Sequence, residues 1–134
     1  MAKLEEIEGI GPKYAKQLRK VGVRSTNDLL KKGATPGGRK QISKDSGISP
    51  KLVLEWVNHS DLFRIKGVGE EYADLLEEAG VDTVVELSQR KAENLFEAMK
   101  KTNEKKKLVR QLPGISEVQD WIRQAKRLPR AVQY

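Results

Sequence analysis

The stretch IEGIGPKYAKQLRKVGVRSTNDL, residues 7–29, returns as IKGVGEEYADLLEEAGVDTVVEL, residues 65–87, at a constant offset of 58 and without a gap. Nine of the 23 positions are identical: Ile7/Ile65, Gly9/Gly67, Gly11/Gly69, Tyr14/Tyr72, Ala15/Ala73, Leu18/Leu76, Gly22/Gly80, Val23/Val81 and Leu29/Leu87. The matches are glycines and apolar residues, the types that set backbone shape and core packing, while the charged positions differ freely. Duplication of a unit with its own apolar face is therefore the first expectation. A weaker echo follows. Gly47, Ile48 and Ser49, then Glu55, Trp56 and Val57, return as Gly114, Ile115 and Ser116, then Asp120, Trp121 and Ile122. Each unit spans about 60 residues, opens on a glycine turn and closes on a helix that bears a tryptophan.

The periodicity is helical throughout. Tyr14, Leu18 and Val21 fall at i, i+4 and i+7, as do Tyr72, Leu76 and Ala79, so each set lines one helix face. Gly22 and Gly80 follow directly and read as glycines closing a helix in the left-handed region. Ser25 with Asp28, and Thr83 with Glu86, have the spacing of a capping box opening the next helix. Thr35 and Ser49 each precede a proline, which suits the first helical position. Pro113 and Gly114 interrupt the chain before a last helix expected over residues 116–128. No strand-length stretch alternates with period two. The expectation is an all-α protein of about ten short helices. Its units cover residues 1–64 and 65–134, joined near residues 59–64 by a packed junction in one compact globule.

Length and composition bound the chemistry. A chain of 134 residues fits one domain or two very small ones, and with 5% aromatics its core must be aliphatic. There is no cysteine and a single histidine, His59, so no disulfide, thiolate centre or paired-imidazole site is expected, and neither a metal nor a cofactor. The longest apolar run, Leu52 to Leu54, is far too short to span a bilayer, and MAKLEEIEGIG lacks the apolar core of a secretory signal. A soluble cytoplasmic protein without membrane association is the expectation. The acidic residues from Glu70 to Glu78 point at several angles around one helix, and His59 has no evident nucleophile. Catalysis is not expected.

The net charge of +7 conceals a pattern. Residues 1–64 carry +6, residues 65–98 carry −6 and residues 99–134 carry +7. Basic ends suit a polyanion and an acidic middle opposes one, unless the segments neutralise each other within the fold.

Gly9, Ile10 and Gly11 form the chemically telling element. Two glycines permit a tight turn and let another backbone or a phosphate approach closely, while Ile10 plugs into the core. The turn opens a helix whose first amides lack partners, and such an end attracts anions. Ala15 is small where the two flanking helices cross. Ile7, Glu8, Gly9, Ile10 and Gly11 with Ala15 and Leu18 resemble a helix-hairpin-helix motif. So do Ile65, Lys66, Gly67, Val68 and Gly69 with Ala73 and Leu76. Over its whole length the chain resembles the family catalogued as domain of unknown function 4332, which carries paired motifs of this kind, a SAM-like arrangement. The motif implies sequence-independent contact between turn amides and a DNA phosphate backbone, sometimes with a monovalent cation on turn carbonyls. It also serves as a protein-docking scaffold, and the family implies no established activity.

The two turns differ in charge. Lys13, Lys16, Arg19, Lys20 and Arg24 follow the first; Glu70, Glu71, Asp74, Glu77, Glu78 and Asp82 follow the second. The nucleic-acid contact is therefore expected at Gly9, Ile10, Gly11, Lys13, Lys16, Arg19 and Lys20. Gly67, Val68, Gly69, Glu70 and Glu71 are expected to be structural or to dock a basic partner. A protein scaffold or adaptor using the acidic unit is the alternative function.

Three further features carry less. Residues 38–58 have a helix-turn-helix outline with Arg39, Lys40 and Lys44 adding charge, but the second helix offers mainly Lys51 and Glu55 to a groove. A structural role with Ile48, Leu52 and Trp56 in the core is expected. Lys100, Lys101, Lys105, Lys106, Lys107 and Arg110 form a basic run. Arg123, Lys126, Arg127 and Arg130 would share one face if helical, as a solvated face or a phosphate-tracking stripe. Residues 33–39 superficially resemble a phosphate loop but lack its Lys-Ser/Thr and its preceding strand.

Overall fold

A computed structural model of the chain describes residues 3–134. The described residues form an all-α fold of eight α-helices and one 3-10 turn. They make two compact units, residues 3–61 with residues 130–134, and residues 62–129. The first unit thus includes residues 130–134, which follow the second unit in sequence. No described helix is long and apolar enough to cross a membrane.

The first unit begins with the 3-10 turn Leu4–Glu6, followed by α1 (Pro12–Lys20), α2 (Thr26–Lys32), α3 (Pro36–Ser46) and α4 (Pro50–Leu62). Sequence chemistry accounts for the boundaries. Ser25 and Thr35 accept hydrogen bonds from the amides of Asp28 and Gly38, capping α2 and α3. Asp28 accepts from the amide of Arg24 (3.1 Å), one residue short of the expected reciprocal box. Gly22, at φ +85°, lets the Val23 amide reach back to the Leu18 carbonyl and close α1. Gly47, at φ +77°, closes α3. Leu4, Ile7, Ile10, Ala15, Leu18, Val23, Leu29, Ile42, Ile48, Val53, Trp56, Val57 and Val132 are buried. Leu52, expected in the core, is half-buried; the register of α4 gives the interior positions to Val53 and Val57.

The second unit contains α5 (Glu70–Glu78), α6 (Val84–Ser88), α7 (Ala92–Lys106) and α8 (Ile115–Arg127). Its core is one cluster in which Leu75, Leu76, Leu87, Leu95, Met99, Val118 and Trp121 are almost wholly enclosed. Glu77 and Glu78 lie at the electronegative end of α5, an unfavourable place, and Glu78 there pairs with Lys106 of α7. Beyond α7 the chain turns at Lys107 (φ +51°) and runs without helix to Gly114. The Asn103 side chain holds this run by accepting from the Val109 amide (3.0 Å) and donating to its carbonyl (3.2 Å).

Three expectations need correction. About ten helices are eight α-helices and one 3-10 turn, and residues 107–113 form no helix. The last helix ends at Arg127: Leu128 is extended (ψ 139°), as the residue before a proline prefers. Arg130 therefore leaves the face of Arg123 and Lys126 and belongs to the first unit, where its guanidinium faces the Val132 carbonyl. The weaker echo also fails at one position, since Ile48 is buried (3%) and Ile115 exposed (38%).

Candidate functional site

Each glycine turn is built by the same physics. Gly9 and Gly67 adopt φ +94° and +97°, a region that L side chains avoid. The amides of Ile10 and Val68 donate back to the carbonyls of Ile7 and Ile65 (3.1 and 3.2 Å). Ile10 and Val68 are buried, 4% and 5% exposed, and anchor the turns. Behind them stand the tryptophans. A Cβ on Gly9 would lie 3.5 Å from Nε1 of Trp56, and one on Gly67 would lie 3.0 Å from Nε1 of Trp121. Tyr14 meets Trp56 edge-on at 5.0 Å, and Tyr72 meets Trp121 at 5.3 Å. Both indoles are enclosed packing residues.

Gly11 and Gly69 are different. Their φ angles of −89° and −102° suit any residue, and a Cβ on either would meet nothing within 4 Å. They are the N-caps of α1 and α5, no side chain caps either helix, and Pro12 removes one amide from the first. Backbone conformation and internal packing thus account for Gly9 and Gly67, while Gly11 and Gly69 leave an open helix mouth at the surface. Gly9→Ala is accordingly expected to cost about 1–3 kcal/mol, the cost of holding a side chain in a disfavoured backbone region, and Gly11→Ala less, about 0.5–1 kcal/mol, because alanine is a poorer N-cap than glycine. Urea melts of the two variants check this; equal losses would show that the positive φ at Gly9 is not what holds the turn.

Gly9, Gly11 and Lys13 are solvent-exposed, as are Lys16, Arg19 and Lys20 on α1. The cations differ in availability. Arg19 forks onto Glu5 of the 3-10 turn at 2.9 and 3.1 Å, so its charge is already partnered. A backbone hydrogen bond first, and the Arg19 guanidinium second, hold the Glu5 carboxyl below its usual range. Lys13, Lys16 and Lys20 have no carboxylate partner among the described residues. One position runs against the charge pattern: Glu8 occupies the first turn where Lys66 occupies the second. Both are exposed.

The second turn is tied where sequence reading saw nothing. Gln124 of α8 accepts from the Lys66 amide (2.8 Å) and donates to the Lys66 carbonyl (3.1 Å). Its position, three residues after Trp121, is the one signal that could have found it, since His59 stands three residues after Trp56. The Tyr72 phenol is pushed up by burial and by Glu117 and Glu71. Glu86 is pushed up by burial and by the carboxylate of Asp82.

Arg39, expected to add surface charge, is buried (8%) and donates to the carbonyls of Gly33, Ala34 and Gln133 at 2.9, 3.2 and 2.7 Å. It is spent on internal hydrogen bonds. Lys40 and Lys44 remain exposed. Among the described residues no three His, Asp or Glu side chains form a group suited to a metal ion.

A family model described as a domain of unknown function, DUF4332, matches residues 8–128. No curated protein and no solved structure matches the chain.

Proposed function

For a chain that belongs to the DUF4332 family, whose description carries no activity, we propose a non-enzymatic binding module. It grips the phosphate backbone of DNA, without regard to base sequence, through Gly9, Ile10, Gly11 and Lys13. Lys16 and Lys20 lend electrostatic support, and Arg19, forked onto Glu5, lends less. The architecture behind it is a pair of helix-hairpin-helix units. The repeated positive φ at Gly9 and Gly67, the plugs Ile10 and Val68, and the two Tyr–Trp pairs support that reading.

One observation carries the functional proposal: Gly11 is a glycine that neither its backbone angles nor its neighbours require. An absent side chain at an uncapped helix start lets a phosphate oxygen reach main-chain amides. Lys13, Lys16 and Lys20, without a carboxylate partner among the described residues, then favour the anion. At the second turn, Glu70 and Glu71 stand in the first turn of α5 and repel it. That turn is the place for the alternative, a scaffold docking a basic protein segment.

Binding of this kind has a Kd on the order of 10⁻⁴–10⁻⁶ M at physiological salt and weakens steeply between about 50 and 200 mM. The test is Gly11→Glu combined with Lys13→Glu. Both positions are exposed and Gly11 has room, so the far-UV circular dichroism should be unchanged while duplex-DNA affinity falls more than about tenfold. Unchanged retention on DNA by a folded double variant removes the first turn from the interface. Capture of a basic peptide, lost on reversing Glu70 and Glu71, selects the scaffold.

A further inference from the structure

We propose that the second unit holds a nucleic-acid phosphate backbone in a basic groove between α8 and the link joining α6 to α7. This rests on the DNA-binding reading above and deepens it. The groove, of about 470 Å³, is lined by Arg90 and Lys91 from the link and by Arg123 and Lys126 from α8, over Ile122. Glu93 is the carboxylate in its lining.

The sequence scatters these cations and the fold assembles them. Gln119, Arg123 and Lys126 fall at i, i+4 and i+7 on α8 and face one way, with the buried Ile122 beside them. Arg90 and Lys91 lie more than 30 residues earlier in the chain, directly after α6. Lys91 is also the N-cap of α7, a 15-residue helix whose start no side chain caps. The positive end of that helix therefore opens at the same groove. Arg123 has a carboxylate nearby, Asp120 at 3.6 Å, but both side chains are more than half exposed, and such a pair is weak. Asp120 is further engaged by the Gln124 amide (2.9 Å). The four cations line one groove with Glu93, and their potentials add there, offset in part by Asp120 beside Arg123 and by Glu86, whose carboxylate Arg90 favours. The acidic turn of this unit and its basic groove thus divide two tasks, the groove taking phosphates that Glu70 and Glu71 repel.

The full-length chain, labelled with ¹⁵N, is titrated with a short DNA duplex and separately with tripolyphosphate. Saturable shifts from the duplex are expected at the amides of residues 90–93 and of Arg123 and Lys126. Lys91→Glu with Lys126→Glu, both exposed positions, should lower duplex affinity more than about tenfold near 0.1 M salt and reduce the log–log salt slope by about two. Lys100→Glu with Lys101→Glu, a charge-matched change on exposed positions of α7, should cost much less. Shifts confined to residues 9–20, or equal losses in the two double variants, overturn the groove and leave the first turn standing. Shifts at the groove without any at residues 9–13 do the reverse. A groove that responds to tripolyphosphate and not to the duplex overturns the nucleic-acid assignment, as does a duplex that shifts neither region.

Discussion

Replacing Trp121 by alanine is expected to destabilise the unit Leu62–Pro129 by about 3–5 kcal/mol. The indole is 2% exposed, packs on Tyr72 and on the Gly67 turn, and belongs to the core cluster with Leu76, Leu95, Met99 and Val118. Truncation removes its transfer free energy and leaves a cavity that the glycine turn cannot fill, because Gly67 has no side chain to move inward. A small domain has about 5–15 kcal/mol in total, so the loss is a large share of it. The urea midpoint should fall by roughly 2 M, given a typical dependence of about 1–3 kcal/mol per molar. Trp121→Phe retains much of the buried area and should lose clearly less. A midpoint shift under about 0.5 M for the alanine variant would show that the turn and the closing helix do not share a tight core.

Arg39→Ala is expected to cost the first unit about 2–4 kcal/mol, because the carbonyls of Gly33 and Gln133 lose their guanidinium donor while that of Ala34 keeps only the Gln133 amide. The guanidinium joins the loop after α2, at Gly33 and Ala34, to Gln133 near the end of the chain. It also lies 5.7 Å from the centre of the Tyr134 ring, whose hydroxyl donates to Asn58 at 2.9 Å. The Gln133 amide completes the tie by donating to the Ala34 carbonyl (2.7 Å). Loss of the fork should therefore appear first as lost hydrogen-exchange protection at Gln133, before any global change. Arg39→Lys keeps the charge, but an ammonium lacks the planar fork that spans two segments, and it should recover less than half of the stability. Wild-type protection at Gln133 in Arg39→Ala would show that Val132, buried at 2%, holds the tail by itself.

Much of this fold was legible in the chain because the signals were local. The positive φ at Gly9, Gly22, Gly67 and Gly80 follows from glycine's lack of a Cβ where a turn must be tight. The caps at Ser25, Thr35 and Thr83 follow from side chains that reach amides three residues on. The burial of Trp56 and Trp121 follows from helical period. Local chemistry also marked Gly11 and Lys13 as the exposed end of the first turn.

Long-range partnership was not legible. Arg39 reads as one more surface cation until a segment 94 residues later folds against it. Arg19 reads as free until Glu5 meets it. Arg90 and Lys91 carry no periodic relation to Arg123 and Lys126, and only the packing of α6 and α7 on α8 makes them neighbours. Helix starts, helix ends and most inward faces were decided by the sequence alone, because capping and amphipathic spacing act within a few residues, whereas the burial of Arg39 was not. Which charges are engaged by other groups and which remain exposed was decided by tertiary structure alone. A charge's availability depends on what lies within a few ångströms of it in space, whatever the separation along the chain.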